Sequence, residues 1–312
     1  MRRAPAKARS TRASLPPSRS VKDEDVENMS GAMLLQAGAL AGRIADRIGL
    51  SIAASRKEAA VSAIGRVMAR RGLNHVSDLL GQIDADEDLK EEFIDELTVG
   101  ETHFFRGAAQ FDLIRDTILP ERCRSRLIGS PLRIWSLGCA SGEEPYSLAI
   151  LCEADNLSSR VEITASDISR KALSDAAEAE YGEWSLRNTG ECWRQRYFLR
   201  SGSRYRVRPD LARRVTLTKV ALGADVLPAP QIGLADFDLI LCRNVLVYLD
   251  AAAVHRIARQ LFTCLVKGGW LMTAPTDPPL WKYAPFETSI TSAGAVYRRA
   301  VSGRERPADD RP

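Results

Sequence analysis

Two carboxylates, Glu143 and Glu144, follow directly on a glycine turn, Gly138-Cys139-Ala140-Ser141-Gly142, within the stretch RIWSLGCASGEEPYSLAI. A turn between a buried strand and a helix often cradles phosphate, because free backbone N–H groups and the helix dipole attract anions. A pyrophosphate here would face two like charges at close range, which costs more than the dipole returns. The spacing is also G-x-x-x-G and not G-x-G-x-x-G. A ligand with an adenosine body and a positive end suits the turn better, namely the amino group and sulfonium of S-adenosylmethionine. Acidic residues are equally at home in the first turn of any helix. The stretch alone therefore leaves ligand contact and simple dipole placement both open.

Further along, the strand-like segment VEITASD ends in Asp167. A carboxylate at that point can accept both hydroxyls of a ribose, or it can cap the helix that begins near Ser169. The segment FDLILCRNVLVYL sets Arg243 and Asn244 between apolar neighbours where a strand should leave its sheet. Asn244 offers a donor and an acceptor, suited to an adenine edge or a ligand backbone. Arg243 suits either a ligand or a buried acidic partner. In LTVGETHFFRG, Thr102, His103 and Arg106 flank Phe104 and Phe105, and two aromatics in a linker argue that it is pinned to a surface. A pinned Arg106 could take a carboxylate by a bidentate contact.

These residues need elements to hold them. Strands are expected at LRIWSLG, VEITASD, VTLTKV, FDLILCR and GGWLMTA, with helices at EPYSLAILCEA, SRKALSDAAEA and AAVHRIARQLFTCL. Continuous apolar strands separated by amphipathic helices predict a doubly wound α/β sheet, with ligands beyond the strands' C-terminal ends. The rhythm fails over residues 181–214, where RYFLRSGSRYRVRP predicts a hairpin turning at Ser201-Gly202-Ser203, a small antiparallel β subdomain. Upstream, residues 31–98 are helical in pattern: Ala60, Ile64, Val67 and Met68 form one stripe that Gly72 ends. The expected layout is a basic disordered tail over 1–30, an all-α domain over 31–98, and a linker with a connecting helix over 99–130. The α/β domain follows over 131–300, and 301–312 form a second disordered tail.

Residues 1–22 hold seven Lys/Arg and no Asp/Glu, so the net +4 of the chain hides a remainder of −3. A basic nucleic-acid face on the folded part is not expected. Six cysteines and three histidines show no paired ligand spacing, so no metal is expected. No apolar run reaches the roughly 18 residues of a membrane span, and the first residues lack the apolar core of a secretory signal, so a cytoplasmic protein is expected. The absence of long heptads favours a monomer.

In this order, TVGETHFFR, RIWSLGCASGEEPYSLAI, TASDIS, FDLILCRNVLVYL and KGGWLM resemble the CheR family of chemotaxis receptor methyltransferases, over roughly residues 40–300 by motif order. The resemblance implies a Rossmann-like S-adenosylmethionine domain with an inserted β subdomain behind a small helical domain. It also implies O-methylation of glutamates on the cytoplasmic helical bundle of chemoreceptors, with S-adenosylhomocysteine as by-product. Carried over by position, it assigns cofactor contacts to Thr102, Arg106, Glu143, Asp167, Asn244 and Val245. Arg106, or a basic residue on the next helix such as Arg115 or Arg122, would hold the substrate carboxylate, and Tyr248 would line the methyl site or pack in the core.

The sequence departs from the family pattern at Gly100 and at Ala221, which precedes Leu222; many members carry Asn at both positions. A third departure is APTDPPLW, where Gly-x-Ser-Glu is common. Gly100, Ala221 and Leu222 are kept as cofactor-site positions with weaker bonding. The short hairpin turn implies that no receptor C-terminal pentapeptide docks. Two rival readings remain: a cofactor-binding regulatory protein that methylates nothing, and a nucleic-acid amino-methyltransferase using Asp277-Pro278-Pro279.

Overall fold

The computed structural model describes residues 39–301, apart from residues 40, 46, 48, 49, 51, 74, 99, 128 and 223. The expected tails over 1–30 and, except for Val301, over 301–312 lie outside the described residues. Residues 41–45 are helical, and helices α1 (Lys57–Arg71), α2 (Val76–Gln82) and α3 (Glu87–Leu97) follow. The predicted stripe does bury: Ala60, Ile64 and Val67 pack with Ala41, Ile44, Leu79, Phe93 and Ile94, and Met68 lies at the edge of that core. Gly72 ends α1 at φ 65, where a side chain would be strained, and its N–H donates to Met68 and Ala69 carbonyls. Asp86 caps α3 by accepting from Leu89 N at 2.9 Å.

The connecting helix expected within 99–130 begins at Ala108. It runs as α4 (Ala108–Leu113), a π-helical stretch Ile114–Ile118 and α5 (Leu119–Ser125). The α/β part then alternates β1 (Leu132–Leu137), α6 (Glu143–Ala154), β2 (Val161–Asp167) and α7 (Arg170–Glu178). After it come β3 (Glu180–Tyr181), α8 (Glu191–Tyr197), β4 (Phe198–Ser201), β5 (Arg204–Val207) and α9 (Pro209–Ala212). The chain closes with β6 (Val215–Lys219), β7 (Phe237–Cys242), α10 (Ala251–Cys264), β8 (Leu265–Met272), β9 (Glu287–Thr291) and β10 (Gly294–Arg298).

Seven strands form one sheet in the order β6-β2-β1-β7-β8-β10-β9. The first five are parallel; β10 runs antiparallel to both β8 and β9. The fold is thus the expected doubly wound sheet, and β3-β5-β4 make the small antiparallel sheet. Strands β9 and β10 were not anticipated. Residues of β9 are exposed along almost its whole length, so its sequence ETSIT carries no apolar alternation to read. Strand order reverses between β1 and β7, and a crevice opens beyond their C-terminal ends at that switch point.

The opposite, N-terminal end of the sheet is closed by charge. Asp238 of β7 is buried and accepts from Arg122 Nε (3.1 Å) and Nη2 (2.9 Å), from Arg126 Nη2 (2.6 Å) and from the Arg133 backbone N–H (3.0 Å). Arg122 spends a further N–H on the Gly268 carbonyl at 3.2 Å. Arg122, expected from the sequence to hold the substrate carboxylate, is thus engaged at the end of the sheet opposite the crevice. It is buried at the start of β7, whereas Asn244 follows the opposite, C-terminal end of that strand. Arg115 is also engaged elsewhere, by a bidentate contact to Asp155 at 2.8–3.1 Å.

Removing Asp238 would leave the Arg122 guanidinium buried without its anion. Asp238→Ala is expected to destabilise the protein by about 3–5 kcal/mol, read as a fall in the denaturant midpoint at unchanged slope.

Candidate functional site

The glycine turn after β1 is built from backbone that most residues avoid. Gly138 (φ 70), Ala140 (φ 47) and Gly142 (φ 96) all lie in the left-handed region. A Cβ on Gly138 would stand 2.3 Å from Val245 Cγ2, and one on Gly142 would stand 2.9 Å from the Tyr146 ring. The turn's N–H groups are already engaged. Gly138 N and Cys139 N both donate to the Ser166 carbonyl (2.8 and 2.9 Å), and Ala140 N donates to Asp167 Oδ2 (2.9 Å). A phosphate cradle needs those donors free, so the turn rejects pyrophosphate by geometry as well as by charge.

Asp167 does two jobs at the tip of β2. Its second oxygen accepts from Ser169 N at 3.0 Å, while Ser169 itself caps α7 by accepting from Ala172 N. Burial raises the Asp167 pKa, against the pull of these backbone N–H groups. Lone pairs remain on both oxygens, on a residue that also lines the cleft.

A second aspartate plays the same part on the facing loop. Buried Asp277 accepts from Asn244 N (2.8 Å), Ala274 N (2.9 Å) and Val247 N (3.1 Å), and Asn244 is held at φ 57. Burial raises its pKa as well. The Asp277-Pro278-Pro279 turn therefore does not offer a carboxyl to a flipped base, and the nucleic-acid reading loses the motif on which it rested.

Two adjoining cavities open between these loops. The first, of about 150 Å³, has walls of Leu137, Ile168, Val220, Leu222 and Val245 and a roof from the helical part, including Leu50, Ile52 and Leu97. The second, of about 80 Å³, is polar and carries both signs of charge: Glu101, Arg106, Glu144 and Arg243, with Thr102 and His103. Gly138, Ala140, Asn244 and Tyr248 line both. The roof is tied down where Ala53 N donates to the Tyr248 carbonyl (2.9 Å) and Ser169 Oγ to Asp95 (2.7 Å).

The sequence-derived residues meet here in part. Gly100, Asp167, Leu222 and Val245 line the apolar cavity, Thr102 and Arg106 the polar one, and Asn244 and Tyr248 both. A side chain on Gly100 would enter open space. Ala221 is not in either lining, and its N–H is taken by Asp225 Oδ2 at 2.7 Å.

The two glutamates divide their roles. Glu144 lines the polar cavity, accepting from Ser136 Oγ (2.7 Å) and from Arg243 Nη1 (2.9 Å). Glu143, the expected contact, is buried behind the turn and accepts from Ser141 Oγ (2.7 Å) and Ser185 Oγ (3.0 Å). A ligand ammonium would have to displace one of those hydroxyls to reach it. Arg243 takes the structural option left open above: besides Glu144 it donates to the Arg106 carbonyl, fixing the loop that carries Arg106.

Sequence reasoning missed what three contributors do. The apolar roof carries no motif, only a helical stripe. Asp277 looked like part of a different motif. His103 lies between Arg187 Nη2 (2.6 Å from Nδ1) and the Asn188 amide (3.0 Å from Nε2), a pairing across more than eighty residues. Burial and the guanidiniums of Arg187 and Arg106 lower its pKa, so the ring is neutral at pH 7.

Comparison with known proteins gives a consistent answer. The family model described as CheR methyltransferase, SAM binding domain, matches residues 100–277, and the one described as CheR methyltransferase, all-alpha domain, matches residues 38–98. A chemotaxis protein methyltransferase of Klebsiella aerogenes is 34% identical over 245 residues, spanning 75% of this chain and 80% of that protein. Chemotaxis protein methyltransferase 1 of Pseudomonas aeruginosa is 28% identical over 259 residues, spanning 80% and 92%. The chemotaxis protein methyltransferase of Escherichia coli is 30% identical over 243 residues, spanning 75% and 81%.

Burial raises the Glu143 pKa above its ordinary 4.5, so the folded protein holds that proton more tightly than the unfolded chain. The stability Glu143 contributes is full at low pH and is lost as pH rises through the raised value. Glu143→Gln, neutral throughout, should therefore gain in melting temperature relative to wild type as pH climbs above 4.5.

Proposed function

The chain belongs to the CheR methyltransferase family, and from that premise we propose that it methylates glutamate side chains on the cytoplasmic helices of chemoreceptors, forming γ-glutamyl methyl esters. One observation carries the reading: an apolar cavity and a two-signed polar cavity meet at Gly138, Ala140, Asn244 and Tyr248. That is the division an S-adenosylmethionine molecule asks for, with a flat apolar base at one end and a zwitterionic amino acid at the other.

Asp167 takes the ribose hydroxyls on its free lone pairs, and the Asn244 side chain meets the nucleoside. Arg106 faces the methionine carboxylate or the incoming substrate carboxylate, and Glu144 and Glu101 face the ammonium. The bound cofactor supplies a methyl group already activated on sulfonium. A substrate carboxylate is ionised at neutral pH and needs no general base. The protein's share of the rate is then to hold that carboxylate in line and exclude water. Tyr248 is well placed for both, being half-buried at the join of the two cavities with Arg56 4.7 Å over its ring. The two-residue Gly202-Ser203 turn between β4 and β5 supports a protein that works without docking a receptor's C-terminal peptide.

Two measurements test this. Incubation with labelled cofactor and receptor-rich membranes should yield label released as methanol by alkali. Binding of S-adenosylhomocysteine without any methanol would instead make the chain a cofactor-responsive regulator. Separately, Gly138→Ala puts a Cβ against Val245 in a backbone region that costs about 1–2 kcal/mol per residue. It should weaken S-adenosylhomocysteine binding at least about tenfold by titration calorimetry.

A further inference from the structure

Arg187 sits one side chain back from the polar cavity, on the β excursion. Its guanidinium is held on three sides: Nη2 against His103 Nδ1 at 2.6 Å, Nη1 donating to the Trp184 carbonyl at 2.8 Å, and the Trp184 ring face 4.3 Å away. Trp184 is 71% exposed, and Arg187 is itself partly exposed. The carboxylate nearest it, Glu101, stands 3.8 Å off, too far for a hydrogen bond. The segment is not free to swing. Ser185 accepts from Phe104 N at 2.9 Å through its carbonyl and donates its hydroxyl to Glu143 at 3.0 Å.

A neutral imidazole is an unusual partner for a guanidinium at an open rim, where water would serve. Here it fixes the direction of the cation, while the one carboxylate paired with it, the exposed Glu101, stays beyond hydrogen-bond reach at 3.8 Å. A preorganised arginine loses little entropy on meeting a carboxylate and favours bidentate geometry. His103, which touches Arg187, also lines the polar cavity, so the two recognition points are separated by about one imidazole and its contacts. That is the scale of one helical turn, ~5.4 Å, the separation of side chains three or four apart on a helix face.

We propose that Arg187, oriented by His103 and Trp184, recognises a second carboxylate on the substrate helix, one turn from the glutamate that enters the polar cavity. The proposal deepens the reading of the site given above and rests on it. The enzyme then selects an acceptor by an acidic pair in i,i+3 or i,i+4 register, and Trp184 covers the apolar stem between them. Because Arg187 touches neither the cofactor cavities nor the reacting carboxylate, its part is in substrate affinity.

The test uses the full chain and a purified receptor cytoplasmic fragment whose methylated glutamate has been mapped, with alkali-released methanol as readout. Arg187→Gln should lower kcat/KM about tenfold through KM, with kcat, melting temperature and S-adenosylhomocysteine affinity unchanged. Wild type should lose a similar factor on a fragment whose glutamate three or four residues from the acceptor is changed to Gln, and the two losses should not add. Arg187→Glu should recover activity on a fragment carrying Arg at that position. Additive losses, or a variant indistinguishable from wild type on a fragment that is methylated, overturn this inference alone. A wild-type protein that methylates no fragment overturns the esterification reading and this inference with it.

Discussion

Ala140 and Asn244 are the two non-glycine residues lining the cleft whose backbone is left-handed, and each donates its N–H to an aspartate, the half-buried Asp167 and the buried Asp277. Left-handed backbone costs about 1–3 kcal/mol at such residues, and a hydrogen bond to a charged acceptor returns about 1.5–3. The two terms are of one size, so each loop keeps its shape only while its aspartate is in place. Both aspartates are held against their own desolvation, which raises the pKa of each from its ordinary value. Phe105 repeats the device with a neutral acceptor: at φ 56, its N–H meets Ser147 Oγ at 2.9 Å. Three loops, from β1, from β7 and from the linker before α4, are thereby locked around one crevice.

That locking decides the ligand chemistry. A glycine turn whose N–H groups point outward is an anion site. Here three successive N–H groups turn inward to Ser166 and Asp167, and what faces the crevice is apolar on one side and charged with both signs on the other. Glu144 and Arg243 neutralise each other in the polar cavity, so it presents matched dipoles and not a net field. A zwitterion is the ligand such a surface solvates best; an isolated phosphate or a bare cation would find half of the wall opposed to it.

How far this could be read from the chain differs residue by residue. The five parallel strands and their helices are legible because their apolar runs are continuous, and Gly138 and Gly142 because only glycine fits both the angle and the space. Which of Glu143 and Glu144 faces the cavity is not legible, since neighbours on a helix lie about 100° apart and packing alone chooses between them. Arg122 stood at a reasonable position for substrate and went instead to Asp238, 116 residues away, a partner no local pattern announces. The roof of Leu50, Ile52 and Leu97 was hidden for a similar reason: an apolar stripe says that a helix is covered, not by what. Long-range pairing is where sequence periodicity stops carrying information.

The two phenylalanines of THFFR join these layers. Phe104 lies edge-on between Tyr181 and Phe198, each at 4.9 Å, and Phe105 meets Trp193 at 5.2 Å. Tyr181 in turn donates to the Ser141 carbonyl of the glycine turn at 2.7 Å. The linker that carries Thr102 and Arg106 is thus packed into the β excursion and not merely laid over it, and the excursion is bonded to the turn. A load placed on the outer surface of β3-β5-β4 has a contiguous, fully packed route to the cavity wall, through side chains that have no room to rearrange independently. Whatever macromolecule approaches from that side meets a rim whose position is set by the same contacts that shape the cofactor turn. The β insertion is therefore part of the site's frame, and its Arg187 is bonded to His103 on the wall of the polar cavity.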